Sequence, residues 1–341
     1  MVEPPEDEEQ LDELLSRPSE QVIDALGRLP GDLVVCGASG KMGPSLAQMA
    51  KRASDAAGLP RRVFGVARFT EGGEQRLQAY GIEPIRCDLL DEEHVMGLPD
   101  AQNVIFMAGR KFGSTGDEGL TWATNAWLPT LVCRRYRRSR IVAFSTGNIY
   151  GLVPVVGGGS REIDVPQPVG EYAMSCLARE RLIGYFSRQY GTPVAIVRLN
   201  YACDLRYGVL VDLALKIVAE QPVDLAMGHF NTIWQGDANA TALLALAHAA
   251  TPPWIVNITG VETLWVREVG RRLGVLLDKP VCFIGSEAPT ALLSDASLAV
   301  EQFGAPAMPV EQMIEWVANW VGRGGRTLDK PTHFESRSGK Y

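Results

Sequence analysis

The chain has 341 residues, 46% apolar, 21% charged and 8% aromatic, which suits a globular protein of one large domain or two. Its formal charge of −7 gathers at the start, where Glu3, Glu6, Asp7, Glu8, Glu9, Asp12 and Glu13 precede any base, and the remaining acids and bases balance. Nucleic acid is therefore excluded as a general partner. No apolar run is long enough for a membrane span, and a cytoplasmic protein with reduced thiols is expected from six cysteines without CxxC spacing.

Residues 1–14 carry enough charge that disorder is expected. Residues 19–29, opened by Ser19, read as a short amphipathic helix. From residue 31, β-branched apolar runs alternate with longer helical stretches, the pattern of βαβ units. Strands are expected at 33–36, 62–66, 83–86, 103–107, 140–144 and 193–199, with helices at 42–56, 120–137 and 171–190. The fold class this predicts is α/β, a Rossmann-like doubly wound parallel sheet. The basic run Arg134, Arg135, Arg137, Arg138 and Arg140 reads as a solvated helix end favoured by the macrodipole. Beyond residue 200, helices at 210–219, 238–249 and 310–321 and a strand at 254–258 predict a smaller C-terminal α/β lobe over the carboxyl edge of the sheet. The stretch after residue 322 is polar and irregular.

Gly37, Ala38, Ser39, Gly40, Lys41, Met42 and Gly43 give a GxxGxxG spacing where the first strand becomes a helix. Glycines there allow a tight turn and bring backbone N–H groups to a pyrophosphate at the helix N-terminus, so a dinucleotide site is expected. The expected organisation is then an acidic extension at 1–30, an NAD(P)-binding domain at 31–200, a substrate lobe at 201–322 interleaved with it, and a tail at 323–341. The second strand ends in Ala67-Arg68 without a carboxylate for a ribose 2′-hydroxyl, which favours NADP(H) over NAD(H) with Arg68 pairing the 2′-phosphate. An exposed loop position is the alternative for Arg68. Asp88, followed by Leu89 after the third strand, suits either the adenine amino group or a helix N-cap.

These residues, with five further motifs, carry a resemblance. The motifs are Phe106-Met107-Ala108-Gly109, Asn125 in the next helix, the run from Phe144 through Thr146, Gly147 and Asn148 to Gly151, Tyr172 with Cys176 four residues on, and Arg198-Leu199-Asn200. Over about residues 31–320 the chain resembles the extended short-chain dehydrogenase/reductase superfamily, in its NAD-dependent epimerase/dehydratase branch. The resemblance implies that Tyr172 is the acid/base group, that Thr146 polarises the substrate oxygen, and that a lysine at position 176 lowers the tyrosine pKa. It also implies a homodimer built on the 120–137 and 171–190 helices. Position 176 is cysteine, and a neutral thiol leaves the phenol near its usual pKa of about 10. Three readings follow: another cation, Arg110 or Lys111, supplies the charge; Cys176 itself enters the chemistry; or Cys176 is a packing residue in a protein that has lost efficient redox catalysis.

Relatives that dehydrate nucleotide sugars carry Thr-Asp-Glu where this chain has Thr146-Gly147-Asn148, so 4,6-dehydration is not expected. What remains is hydride chemistry at a secondary alcohol or ketone of a sugar, sugar acid or nucleotide sugar. Asn148, Asn200, Arg206, Trp234 and Arg110 are the candidate substrate residues, Arg206 or Arg110 pairing a carboxylate or phosphate through its planar fork. Lobe packing is the alternative for Trp234 and Tyr207. The second function expected is a dinucleotide-binding sensor or scaffold with little turnover. No metal site is expected, and no GxSxG, HExxH or P-loop pattern supports a hydrolase or kinase.

Overall fold

A computed structural model describes residues 3–69 and 72–340. Seven strands form one parallel sheet: β1 (Leu33–Cys36), β2 (Val63–Ala67), β3 (Glu83–Arg86), β4 (Asn103–Phe106), β5 (Arg140–Thr146), β6 (Val194–Leu199) and β7 (Trp254–Ile258). Their spatial order is β7-β6-β5-β4-β1-β2-β3. In β1 every residue is buried, because Leu33 and Val35 enter the core on one face while Val34 and Cys36 enter the core on the other. The order of strands reverses between β1 and β4, which opens a crevice at their carboxyl ends.

The fold class is as expected, and three local readings are corrected. The strand at 254–258, expected in the smaller lobe, pairs with β6 in register Ala195↔Trp254 and extends the main sheet. Its pattern announces a strand but not a partner, and Val256 and Ile258 are buried only because β6 offers an open edge. Residues expected to be disordered include a helix, Glu8–Leu15, capped by the Asp7 side chain on Gln10 N–H. Leu11 and Leu15, four apart on one face, are fully buried in the core of the smaller lobe, and that burial outweighs the charge of the segment. The helix expected at 120–137 is three pieces: Glu118–Trp122, a π-helical turn Ala123–Trp127, and Leu128–Arg135. Pro129 has no N–H to give the Asn125 carbonyl four residues before it, which favours the wider turn.

The smaller lobe holds helices Val209–Val218, Val266–Leu277 and Val310–Gly322 around a core that includes Trp316, Trp320 and Phe334, while the Gln235–Leu244 helix buries Ala238, Ala242 and Leu243 in the core of the main sheet. Two of its side chains, Gln235 and Asn239, donate to Ser45 Oγ at 3.0 Å and tie it to the helix that follows β1. Among its described residues the tail has no helix or strand, but Thr332 and Phe334 are buried in it. In the basic run, Arg134 pairs with Glu92 and Arg135 with Asp100, each at 2.8 Å. All six cysteines are free. No helix among the described residues is long and apolar enough to cross a membrane.

Candidate active site

A cavity of about 800 Å³ runs along the carboxyl edge of the sheet between the sheet and the smaller lobe. Its floor is the glycine-rich turn and the ends of β4, β5 and β6; its far wall is formed by Asp204, Arg206, Tyr207 and Gln235; its rim includes Glu8 and Asp12 from the first helix and Lys330 and Thr332 from the tail.

The turn has the form a dinucleotide pyrophosphate requires. Gly37 has φ +98°, and a Cβ there would lie 2.7 Å from Ala108 N, so the turn closes on the end of β4 only with glycine. A Cβ on Gly43 would meet the Ala38 carbonyl at 2.6 Å, which explains its close approach to the strand. Met42 opens the Gly43–Ala56 helix without any side-chain cap; Gly43 N donates back to Gly40 O at 3.2 Å, and Pro44 in the first turn has no N–H to offer. Ser39, Gly40, Lys41 and Met42 all line the cavity. Deeper in, Asn200 Nδ2 is buried without a hydrogen-bond partner among the described residues, an orphaned donor that a ligand oxygen would satisfy. These features fit a bound dinucleotide.

Thr146 and Tyr172 both face the cavity, Thr146 from the end of β5 and Tyr172 from the first turn of the Gly170–Tyr190 helix. Thr146 Oγ1 donates to Asn148 Oδ1 at 3.0 Å and accepts from Asn148 N at 3.2 Å, which fixes its hydroxyl. Cys176 is 1% exposed and shares a side-chain hydrogen bond with Tyr172. Burial pushes its thiol pKa up, partly offset by the Arg179 charge, the Tyr172 contact and Lys111. The thiol is therefore neutral, and the reading in which Cys176 acts as a thiolate loses its physical basis.

Of the two candidate cations, Arg110 lines the cavity, but its Nη2 is engaged locally, donating to Gly113 O and pairing with Asp117 at 3.1 Å. Lys111 reaches in, close enough to Cys176 for each charge to shift the other, with Nζ donating to Thr332 O at 2.9 Å. Burial pushes Lys111 down to about 8.

Several predicted residues lie elsewhere. Arg68 is exposed at the end of β2 and does not line the cavity, whereas Arg76 of the following helix does. Asp88 accepts from Leu90 N and does not line the cavity, the N-cap of the next helix is Asp91 rather than Asp88, and Leu89 is buried in the core. Trp234 packs edge-on against Trp316 within the smaller lobe, the lobe-packing alternative, while Tyr207 lines the cavity. Arg206 faces the cavity with its fork held by three carboxylates: Asp204 at 3.1 Å, Asp12 at 3.0 Å and Glu8 at 3.3 Å. Ala108 and Gly109 form the end of β4 beneath Asn125, whose Oδ1 accepts from Arg110 N and whose Nδ2 donates to Ser175 Oγ.

Sequence reasoning missed Arg179, Lys330, Glu8 and Asp12 as lining residues. Only Arg179 carried a signal, since it stands seven positions after Tyr172 and shares its helical face.

The profile of the NAD dependent epimerase/dehydratase family matches residues 33–203, half of the chain. No curated protein matches it by sequence. Among solved structures, UDP-glucuronic acid 4-epimerase from Bacillus cereus in complex with UDP-glucuronic acid and NAD is similar at a TM-score of 0.71 and 18% identity, over 86% of this chain and 99% of that one. UDP-glucose 4-epimerase of Thermotoga maritima gives 0.69 and 17% over 86% and 99%, and a dTDP-glucose 4,6-dehydratase of Streptomyces venezuelae gives 0.71 and 17% over 86% and 97%. These likenesses are of fold.

Proposed function

The chain belongs to the NAD dependent epimerase/dehydratase family, and from that membership we propose that it is a nicotinamide-dependent oxidoreductase or epimerase acting at a secondary alcohol or ketone of a sugar, sugar acid or nucleotide sugar. The observation that carries this reading is that Thr146 and Tyr172 line the same cavity as a turn shaped for a dinucleotide. The turn residues 37–43 would hold the pyrophosphate, with Lys111 and Asn125 flanking the nicotinamide half. When bound, the dinucleotide accepts or returns a hydride at the carbon bearing the reacting oxygen.

The protein's part is to hold that oxygen and move its proton. Tyr172 takes the hydroxyl proton during oxidation and gives it back during reduction. The Thr146 hydroxyl, which donates to Asn148 Oδ1, would turn to donate to the reacting oxygen and hold it beside the phenol. Lys111 contributes positive charge that favours the phenolate form. Gly147 and Asn148 bring no carboxylic acid to a departing hydroxyl, so elimination is disfavoured against epimerisation or net redox chemistry. The buried neutral thiol of Cys176 favours one second reading, a dinucleotide-dependent sensor or scaffold with little turnover.

Two observations bear on cofactor choice in opposite senses. Ala67-Arg68 offers no carboxylate to a ribose hydroxyl, which supports NADP(H); Asp12, paired with Arg76 of the helix after β2, brings one to the cavity and supports NAD(H). A homodimer is part of the proposal, since Trp122, Trp127, Met174 and Tyr185 of the two neighbouring helices leave large apolar surface exposed. Calorimetric titration with NADH, NADPH and their oxidised forms tests the function. Saturable binding that weakens in Arg68→Ala or Arg76→Ala identifies the preferred form and its reader. No heat from any of the four would overturn the oxidoreductase reading.

A further inference from the structure

The Tyr172 helix carries a second cation whose use the family pattern does not account for. Arg179 is 5% exposed, yet no carboxylate among the described residues pairs with it. Its three hydrogen bonds go to neutral oxygens: Nε to Asn125 O at 3.1 Å, Nη2 to Asn125 Oδ1 at 2.8 Å and Nη1 to Phe144 O at 2.8 Å. Nη2 also lies against Gly109 at the end of β4, and Arg179 borders the same cavity as Tyr172 and Thr146. A buried guanidinium satisfied by dipoles alone keeps its full charge, and burying it is costly unless something nearby gains from that charge.

Its neighbours indicate what gains. The next residue, Glu180, is neutralised by a two-pronged pair with Arg198 of β6, at 3.0 and 2.8 Å, and also accepts from Ser145 Oγ. The glutamate is thereby occupied on the far side. Arg179 acts instead on the thiol of Cys176, three residues before it, and that thiol is hydrogen-bonded to Tyr172. Positions 172, 176 and 179 follow the i, i+4, i+7 spacing of one helical face. The support for Arg179 is specific too: Pro129 denies the Asn125 carbonyl its usual helical donor, and Arg179 Nε donates to that carbonyl.

We propose that Arg179 is a positioning residue that supplies, past Cys176, the fixed positive charge beside the Tyr172 hydroxyl that position 176 itself does not carry. Arg179 approaches from within the helix and Lys111 from the loop after β4, and both charges act on the Cys176 thiol, whose hydrogen-bond partner is Tyr172. An arginine serves because its planar fork spans Asn125 and Phe144 at once. The inference rests on the reading of Tyr172 as the acid/base group.

The test uses the whole chain labelled with ¹³C at the tyrosine Cζ, the Tyr172 resonance being the one lost in Tyr172→Phe. In Arg179→Gln the Tyr172 titration midpoint is expected to rise by about one pH unit relative to the unaltered chain. Arg179→Lys, which keeps the charge without the fork, is expected to leave the midpoint in place, and adding Cys176→Lys to Arg179→Gln is expected to restore it. An unchanged midpoint in Arg179→Gln overturns the proposal, as does a rise in Arg179→Lys equal to that in Arg179→Gln, because Arg179 would then matter only for packing. If Arg179→Gln does not fold, the Arg179→Lys midpoint decides alone: unchanged supports, raised overturns. NADH and NADPH titrations of the unaltered chain separate the two readings, since lack of binding defeats the proposed function while the Tyr172 shift judges Arg179.

Discussion

Lys41 stands where the glycine-rich turn meets the smaller lobe, its ammonium 3.2 Å from the Tyr207 ring centroid and 4.6 Å from that of Phe112. Burial first, then the charges of Lys111 and Lys330, push it down to about 7. An unfolded lysine titrates near 10.4, so across the window from about 10 down to about 7 the unfolded chain binds more protons, and this group's contribution to stability falls as pH falls through it. An anion in the cleft reverses the preference by stabilising the charged form. Binding of NADH or NADPH at pH 8 is therefore expected to take up about one proton, and at pH 6 close to none. Calorimetry in two buffers of different ionisation enthalpy measures this, and a heat independent of buffer at pH 8 would show that Lys41 does not meet the anion. The lysine was legible as a turn residue in GxxGKxG. Its electrostatic setting was not, because Phe112, Tyr207 and Lys330 come from three distant segments that no local pattern joins. Tyr172 and Thr146 were legible through the motifs that carry the family resemblance, whereas the carboxylates that hold Arg206 were not, because two of them come from the far N-terminal segment.

The Glu8–Leu15 helix shows how far composition misleads at the scale of an element. Seven acids suggested a solvated segment, yet two leucines one turn apart anchor it in the smaller lobe, and its carboxylates meet arginines: Glu13 with Arg52, Asp12 with Arg76 and Arg206, Glu8 with Arg206 and Arg326. The exposed pairs among these, such as Glu8 with Arg326, contribute little each, so the leucines hold the helix and the charges set where it docks. Leu15→Ala is expected to cost about 2–5 kcal/mol in chemical denaturation. A loss under about 0.5 kcal/mol would mean that the helix docks by charge alone. The π-helical turn at 123–127 was equally hidden, since apolar spacing reads a helix but not its pitch. Pro129 was the one available sign.

The chain passes between sheet and lobe repeatedly: β7 lies in the main sheet between two helices of the lobe, and the first helix packs in the lobe before β1 begins. Thermal unfolding is expected as a single transition, with far-ultraviolet circular dichroism and tryptophan fluorescence coincident, because neither core is complete without segments from both halves. Two resolved transitions would contradict this. The parallel sheet was readable from alternating patterns up to β6; the seventh strand was not, since a short apolar run carries no address for its partner. The same interleaving limits how such a molecule can change over generations. A lobe stitched through the sheet cannot be exchanged as a cassette by one recombination event, so new substrate preferences must arise by piecemeal replacement in the loops that line the cleft.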